Sequence, residues 1–389
     1  MTMEVIYFLL FWAAIGGAWY LGYKTRQKVS ASSSSTSLPK DYLAGLNFLI
    51  NEEPDKAVDA LIKMLEIDSN TVETHLAVGN LFRRRGEFDR AIRIHQNLIA
   101  RPNLNKNFRD KSLYELGQDY LSAGVLDRAE RIFLQVLDIK TYSAKASKAL
   151  LDIYQQEKEW ENAIQMAYKL EFLKKQNMQP IIAHYFCELA DVEFDKGNLH
   201  RGNNFLKQAF IADESCVRAS ILQSKALINT GDFTGSLKVL KRIKNQNLEY
   251  LSEAIDIIAK CYEAIGKPEE FLKYLSNVLK IHPNVTLAAT LAKHMKRIRG
   301  NREAFDMITG FVKDNPSFKA FQLYIRLYLE SASGKLQEDL EILQSLTNKL
   351  LLDKPDYQCN SCGFSAKTLN WLCPGCKQWS TMKPAVLDF

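Results

Sequence analysis

Four stretches of this chain share one pattern: R-G-E-F-D-R-A (Arg85–Ala91), A-G-V-L-D-R-A (Ala123–Ala129), K-G-N-L-H-R-G (Lys196–Gly202) and T-G-D-F-T-G-S (Thr230–Ser236). In each, a glycine is followed two positions later by an apolar residue, and the stretch closes on a small residue. Glycine takes the left-handed conformation that stops a helix at little cost. The apolar residue staples the turn, and the small residue lets a second helix pack closely on the first. Each stretch therefore reads as the corner of a helical hairpin.

Working outward, each closing small residue has a partner twelve residues earlier: Gly45 with Ala57, Gly79 with Ala91, Gly117 with Ala129, Leu151 with Ala163, Ala190 with Gly202, and Ser224 with Ser236. The second members lie 34, 38, 34, 39 and 34 residues apart, with the insertions falling near Pro102 and Gln176 to Pro180. Further on, Phe271 replaces the small residue and Pro283 stands where a unit ends, while Ala304 with Pro316 shows the same spacing. This period resembles the tetratricopeptide repeat, two antiparallel helices per unit. The early tryptophan of that family is missing, so the register leans on the small residues and on Phe82, Tyr120, Tyr154 and Tyr262. Residues 41–352 are expected to form about nine such units, an all-α superhelical solenoid stabilised by burial between neighbours.

The first helix of each unit would line the concave face. That register makes Asn80, Arg83, Arg84, Tyr114 and Gln118 candidate partner-binding residues; a solvated face is the other reading of the Arg83–Arg85 run. His184, polar within I-A-H-Y-F-C-E-L-A (Ile182–Ala190), reads as a satisfied buried histidine. Cys187, Cys216 and Cys261 read as buried thiols.

Beyond the array stand C-N-S-C and C-P-G-C, Cys359, Cys362, Cys373 and Cys376, with ten residues between the pairs. Two C-x-x-C pairs at close range can converge four thiolates on one tetrahedral ion. A disulfide framework or a redox C-x-x-C are the other readings, but the first belongs to an oxidising compartment and the second usually opens a helix after a strand. Gly363 and Gly375 are expected to supply positive φ in the two turns. Tyr357, Phe364, Leu369, Trp371, Leu372 and Trp379 are expected to wrap the metal in a dry shell. Residues 355–384 thus form a mini-domain small enough to need a metal staple. Four thiolates close the coordination sphere, which points to a structural ion rather than a hydrolytic one.

At the other end, residues 1–23 contain an uncharged run from Val5 to Tyr23, about 28 Å long as a helix and so able to cross a hydrocarbon core about 30 Å thick. Lys24, Arg26 and Lys28 follow it at once, which places the N-terminus outside and the body in the cytoplasm. A cleaved signal would carry its basic residues before the run. Residues 24–40 are a Ser-rich tether.

Composition excludes little but narrows the chemistry. A net charge of +6 over 389 residues is weak support for nucleic acid. The six histidines form no H-x-x-x-H or H-E-x-x-H pair, and there is no phosphate-binding glycine loop.

Anchor, repeats and knuckle together resemble one bacterial family, lipopolysaccharide assembly protein B (LapB). The likeness is carried by D-Y-L-A-G-L-N-F-L (Asp41–Leu49), G-N-L-F-R-R-R-G-E-F-D-R-A-I-R-I-H-Q (Gly79–Gln96), I-A-H-Y-F-C-E-L-A, and C-N-S-C-G-F-S-A-K-T-L-N-W-L-C-P-G-C-K-Q-W-S-T-M-K-P (Cys359–Pro384). The resemblance implies a single-pass inner-membrane adaptor of a Gram-negative bacterium, not an enzyme, that regulates lipopolysaccharide biosynthesis. Its partners would be the membrane-anchored AAA+ protease FtsH, the UDP-3-O-acyl-N-acetylglucosamine deacetylase whose proteolysis it promotes, and other lipopolysaccharide assembly proteins. A broader version is a membrane-tethered scaffold assembling synthesis and transport proteins. The resemblance also implies a rubredoxin-like knuckle packed against the repeats, with Cys359, Cys362, Cys373 and Cys376 on iron; zinc fits four thiolates equally well. Rubredoxins separate their pairs by more residues and have glycine where this chain has Lys377. No nucleic acid is implied, and self-association into a homodimer stays open.

Overall fold

A computed structural model describes residues 72–385, except 331 and 353, together with Trp19. The rest of the apolar run at 5–23, the Ser-rich tether and the unit built on Gly45 and Ala57 lie outside the described residues. No helix among the described residues is long and apolar enough to cross a membrane.

The chain divides into two compact units, Met1–Ile139 and Lys140–Phe389. In the first, α1 (Val72–Arg84) packs on α2 (Phe88–Ile99), and α3 (Lys106–Ser122) on α4 (Leu126–Val136). In the second, the paired helices are α5 (Ser143–Glu157) with α6 (Trp160–Lys174), α7 (Gln179–Asp195) with α8 (Leu199–Ala212), and α9 (Val217–Asn229) with α10 (Phe233–Leu240). A short α11 (Ile243–Gln246) and a 3-10 turn at Leu248–Tyr250 intervene. Then come α12 (Leu251–Ala264) with α13 (Pro268–Ile281), α14 (Val285–Arg299) with α15 (Asn301–Asp314), and α16 (Phe318–Leu329) with α17 (Lys335–Leu352). The body is a succession of tetratricopeptide-type hairpins.

The turns form as their residues require. Gly86 takes φ +80°, and the Glu87 N–H reaches back to the Phe82 carbonyl at 2.8 Å. The α5–α6 corner makes the same closure without glycine: Lys158 sits at φ 60° and the Glu159 N–H reaches the Tyr154 carbonyl at 2.8 Å. That substitution is why the turn pattern skips this unit in the sequence while the spacing does not.

Among the described residues, the small residues at the twelve-residue offset are buried as expected, down to the direct contact of Ser224 Oγ with Ser236 Oγ at 2.8 Å. A second offset, of sixteen residues, emerges from the packing. It links Gly79 to His95, Gly117 to Phe133, Leu151 to Ala167, Ala190 to Leu206, Ser224 to Leu240, Ala259 to Leu275 and Ala292 to Ile308, and every member is buried. Each pair combines a smaller with a larger side chain, so the space between helices stays filled. At Gly117 an added Cβ would lie 2.7 Å from the Phe133 ring, which leaves no room for one.

After α17 the chain changes class. β1 (Tyr357–Cys359) is the centre of a three-stranded antiparallel sheet, order β2-β1-β3, flanked by β2 (Ser365–Ala366) and β3 (Met382–Pro384). Tyr357 stands opposite Ala366 on one side and Pro384 on the other.

Candidate metal centre

Two turns with the same hydrogen bonds build the centre. In the first, the Cys359 N–H donates to the Phe364 carbonyl and the Gly363 N–H donates to the Cys359 carbonyl, at 2.8 and 2.9 Å. In the second, the Cys373 N–H donates to the Gln378 carbonyl and the Lys377 N–H to the Cys373 carbonyl, both at 2.9 Å. The residue after each second cysteine takes the left-handed conformation: Gly363 at φ 75° and Lys377 at 57°. The expectation for Gly375 is thereby corrected, since its φ is not positive. An added Cβ there would lie 3.2 Å from Cys362 Sγ, so Gly375 is small to let the two pairs approach.

The four Sγ atoms lie within 4.8 Å of one another. Cys359 and Cys376 are 3.7 Å apart, as are Cys362 and Cys373. A tetrahedron with metal–sulfur bonds of about 2.3 Å has edges of about 3.8 Å, whereas a disulfide needs about 2.05 Å. The residues therefore fit one four-coordinate ion and not a disulfide framework. The thiols differ when left to themselves. The Thr381 hydroxyl and the N–H groups of Cys362 and Ser361 hold the Cys359 pKa down at about 6. At Cys362 the Phe364 N–H favours the thiolate, but desolvation and the three neighbouring thiols push the pKa up to about 11. Bringing all four to thiolate together calls for a cation among them. Cys359 and Cys373 are buried, Cys376 is half-buried and Cys362 faces solvent.

The expected dry shell is only partly present. Met382, fully buried, closes the inner side of the cysteines with Tyr357, Ala366 and Leu369, while Phe364 is 37% exposed. Trp371 and Trp379 turn the other way and dock the knuckle on the helices. Trp379 stacks on His184 with ring centres 4.9 Å apart, meets Tyr185 and Trp160 edge-on, and donates from Nε1 to Gln155 Oε1 at 2.9 Å. Trp371 lies against Tyr250 at 5.0 Å. The Tyr250 hydroxyl donates to the Met382 carbonyl at 3.0 Å, Lys383 pairs with Glu249 at 2.7 Å, and the Tyr357 hydroxyl donates to Glu253. His184 is buried as read, with Nε2 2.6 Å from Ser380 Oγ, but Nδ1 has no hydrogen-bond partner. Burial, with Arg218 adding to it, drives its pKa down to about 3. The sequence singled out His184 without its role. The missed signal was the concentration of Trp160, His184 and Tyr185 in two neighbouring hairpins, matched by two tryptophans in a mini-domain too small to bury them.

The candidate partner-binding residues lie in the first unit. Arg83 donates to Asp119 at 2.7 Å, Glu115 at 2.6 Å and Asn80 at 2.8 Å, and Asp119 in turn meets His95 Nδ1 at 2.5 Å. Asn80 and Arg83 are thus joined in an internal network with three residues that sequence reading passed over. Asp119 and His95 are fully buried. A histidine in the apolar register Ala91, His95, Leu98 is the signal that could have found the pair. Arg84 is exposed, Gln118 is half-buried, and Tyr114 lies 6.1 Å from the Phe133 ring.

A family profile described as "Rubredoxin metal binding domain" matches residues 357–384, and a tetratricopeptide-repeat profile matches 74–107. A protein named lipopolysaccharide assembly protein B from Escherichia coli strain K12 is 36% identical over 383 residues, covering 98% of each chain. The chain belongs to the lipopolysaccharide assembly protein B family. A member from Haemophilus influenzae is 31% identical, again over 98% of both chains. Among solved structures, the complex of Naa15/Naa10 bound to HypK-THB is similar at 14% identity and a TM-score of 0.43, covering 81% of this chain and 46% of that one. In this member of the family, the four cysteines that could hold an ion and the tryptophans that seat the knuckle are separate sets of residues.

Proposed function

We propose that this chain is a membrane-tethered cytoplasmic adaptor of lipopolysaccharide assembly, which brings the UDP-3-O-acyl-N-acetylglucosamine deacetylase to the protease FtsH. The observation that carries the reading is the family relationship over 98% of the chain. The apolar run at 5–23, followed by Lys24, Arg26 and Lys28, supports a single span with the N-terminus in the periplasm. Holding the body beside a protease in the same bilayer raises effective concentration and can add roughly 10² to 10⁴ in avidity. A four-thiolate site leaves no open coordination position, which supports a structural ion, iron or zinc, on a scaffold rather than on an enzyme.

The test is the lifetime of the deacetylase in a Gram-negative strain depleted of its own family member and supplied with this chain. The expected result is a short half-life that lengthens when FtsH is inactive, when residues 1–23 are removed, or when Cys373→Ser empties the knuckle. An unchanged half-life with the intact chain overturns the adaptor reading.

A further inference from the structure

The last helix of the array, α17, packs against α16, and Thr347 is its one buried residue. Beside the packed face run Ile342, 59% exposed, Leu343, 44%, Leu346, 52%, and Leu350, 61%. At 100° per residue these four fall within an arc of about 100° and form one stripe roughly 12 Å long. A helical array ordinarily closes on a polar outer face. An apolar stripe in its place marks a contact with another surface.

The order of residues along the helix says which surface. Asp339 and Lys349, both exposed, flank the stripe, and they are centred on position 344. Ile342 and Leu346 are centred on that same position. When a second α17 runs antiparallel about a two-fold axis at that level, each Asp339 comes level with the other copy's Lys349 and each Ile342 with its Leu346. A parallel pairing would instead set like charges side by side. This self-complementarity is what a closed two-fold contact requires.

We infer that α17 is the surface through which two copies of this chain pair, antiparallel and two-fold symmetric. The pairing stands apart from the adaptor role and would hold whatever the chain delivers.

The experiment is sedimentation equilibrium of the full chain in detergent micelles, for the natural sequence and four variants. The natural chain is expected to be a dimer, and Leu346→Asp a monomer over the same concentrations. Lys349→Asp and Asp339→Lys are each expected to weaken the dimer at least tenfold, and the double exchange D339K/K349D to recover it. Recovery is the decisive readout, because loss of folding or an unrelated contact would not produce it. A monomeric natural chain, as when the helix of an unlike protein covers the stripe, overturns the inference. So does a dimer indifferent to all four changes, or a double exchange weaker than either single one.

Discussion

Replacing Trp379 by alanine should release the knuckle from the helices without emptying it. Trp379 is buried against His184, Tyr185 and Trp160 and donates to Gln155. Truncating a buried tryptophan costs about 3–5 kcal/mol. Within that loss the hydrogen bond accounts for about 1 kcal/mol and each ring contact for about 0.5–1.5 kcal/mol. Gln155 Oε1 also accepts from the Tyr185 hydroxyl at 2.9 Å, so no acceptor is orphaned. At about 1.4 kcal/mol per factor of ten, the undocked population should rise by roughly two to four powers of ten. Native-state hydrogen exchange read at α7 and β1–β3, alongside metal content, measures this. Exchange should quicken in both places together while the metal stays, because the thiols are untouched. Trp379→Phe keeps ring contacts and loses the indole N–H, so it should cost only about 1–2 kcal/mol. Unaltered exchange in Trp379→Ala, or phenylalanine proving as damaging as alanine, would refute the docking role.

The remaining expectations test the other links. Cys373→Ser removes one of four converging thiols, and since structural ions supply about 10–16 kcal/mol of apparent binding in small metal peptides, metal and protease resistance of residues 355–384 should be lost together. Retention of both would count against the site. Gly79→Ala places a Cβ 2.5 Å from His95 Nε2, in contact with the buried Asp119 pair; a loss of about 1–3 kcal/mol is expected in urea unfolding, and a neutral result would mean that α1 and α2 separate freely. His184 has its pKa pushed down to about 3 by burial, below its unfolded value, so protonation favours the unfolded chain. Its contribution is complete above about pH 6.5 and falls by about 1.4 kcal/mol per unit as pH drops from there toward 3. His184→Phe should flatten the stability profile between pH 6.5 and 5, and an unchanged slope in thermal melts would contradict the assignment. Lys377→Gly should raise knuckle stability by about 1 kcal/mol, because a side chain at left-handed φ carries that strain; a lower melting temperature would show that the lysine side chain compensates.

How much was legible from sequence differs between helices and knuckle. Hairpin corners, small closing residues and the four-cysteine set could be read directly, because each depends on residues within a few positions of one another. The α5–α6 corner shows the limit: Lys158 in the glycine position hid the turn, while the twelve-residue spacing of Leu151 and Ala163 kept the unit in register. Gly375 was misread for a related reason. A glycine serves either backbone conformation or close approach, and only the position of Cys362 Sγ separates the two.

By itself, the sequence determined a succession of helical hairpins closed by four converging thiols, since periodicity and local turn chemistry act over one unit at a time. Tertiary structure alone decided that Trp371 and Trp379 face the helices rather than the cysteines, that Arg83 is held by Glu115 and Asp119, and that His184 lies under an indole nearly two hundred positions later. Those contacts pair residues far apart in the chain. Their energies come from burial and geometry that exist only once distant hairpins and the knuckle have come together.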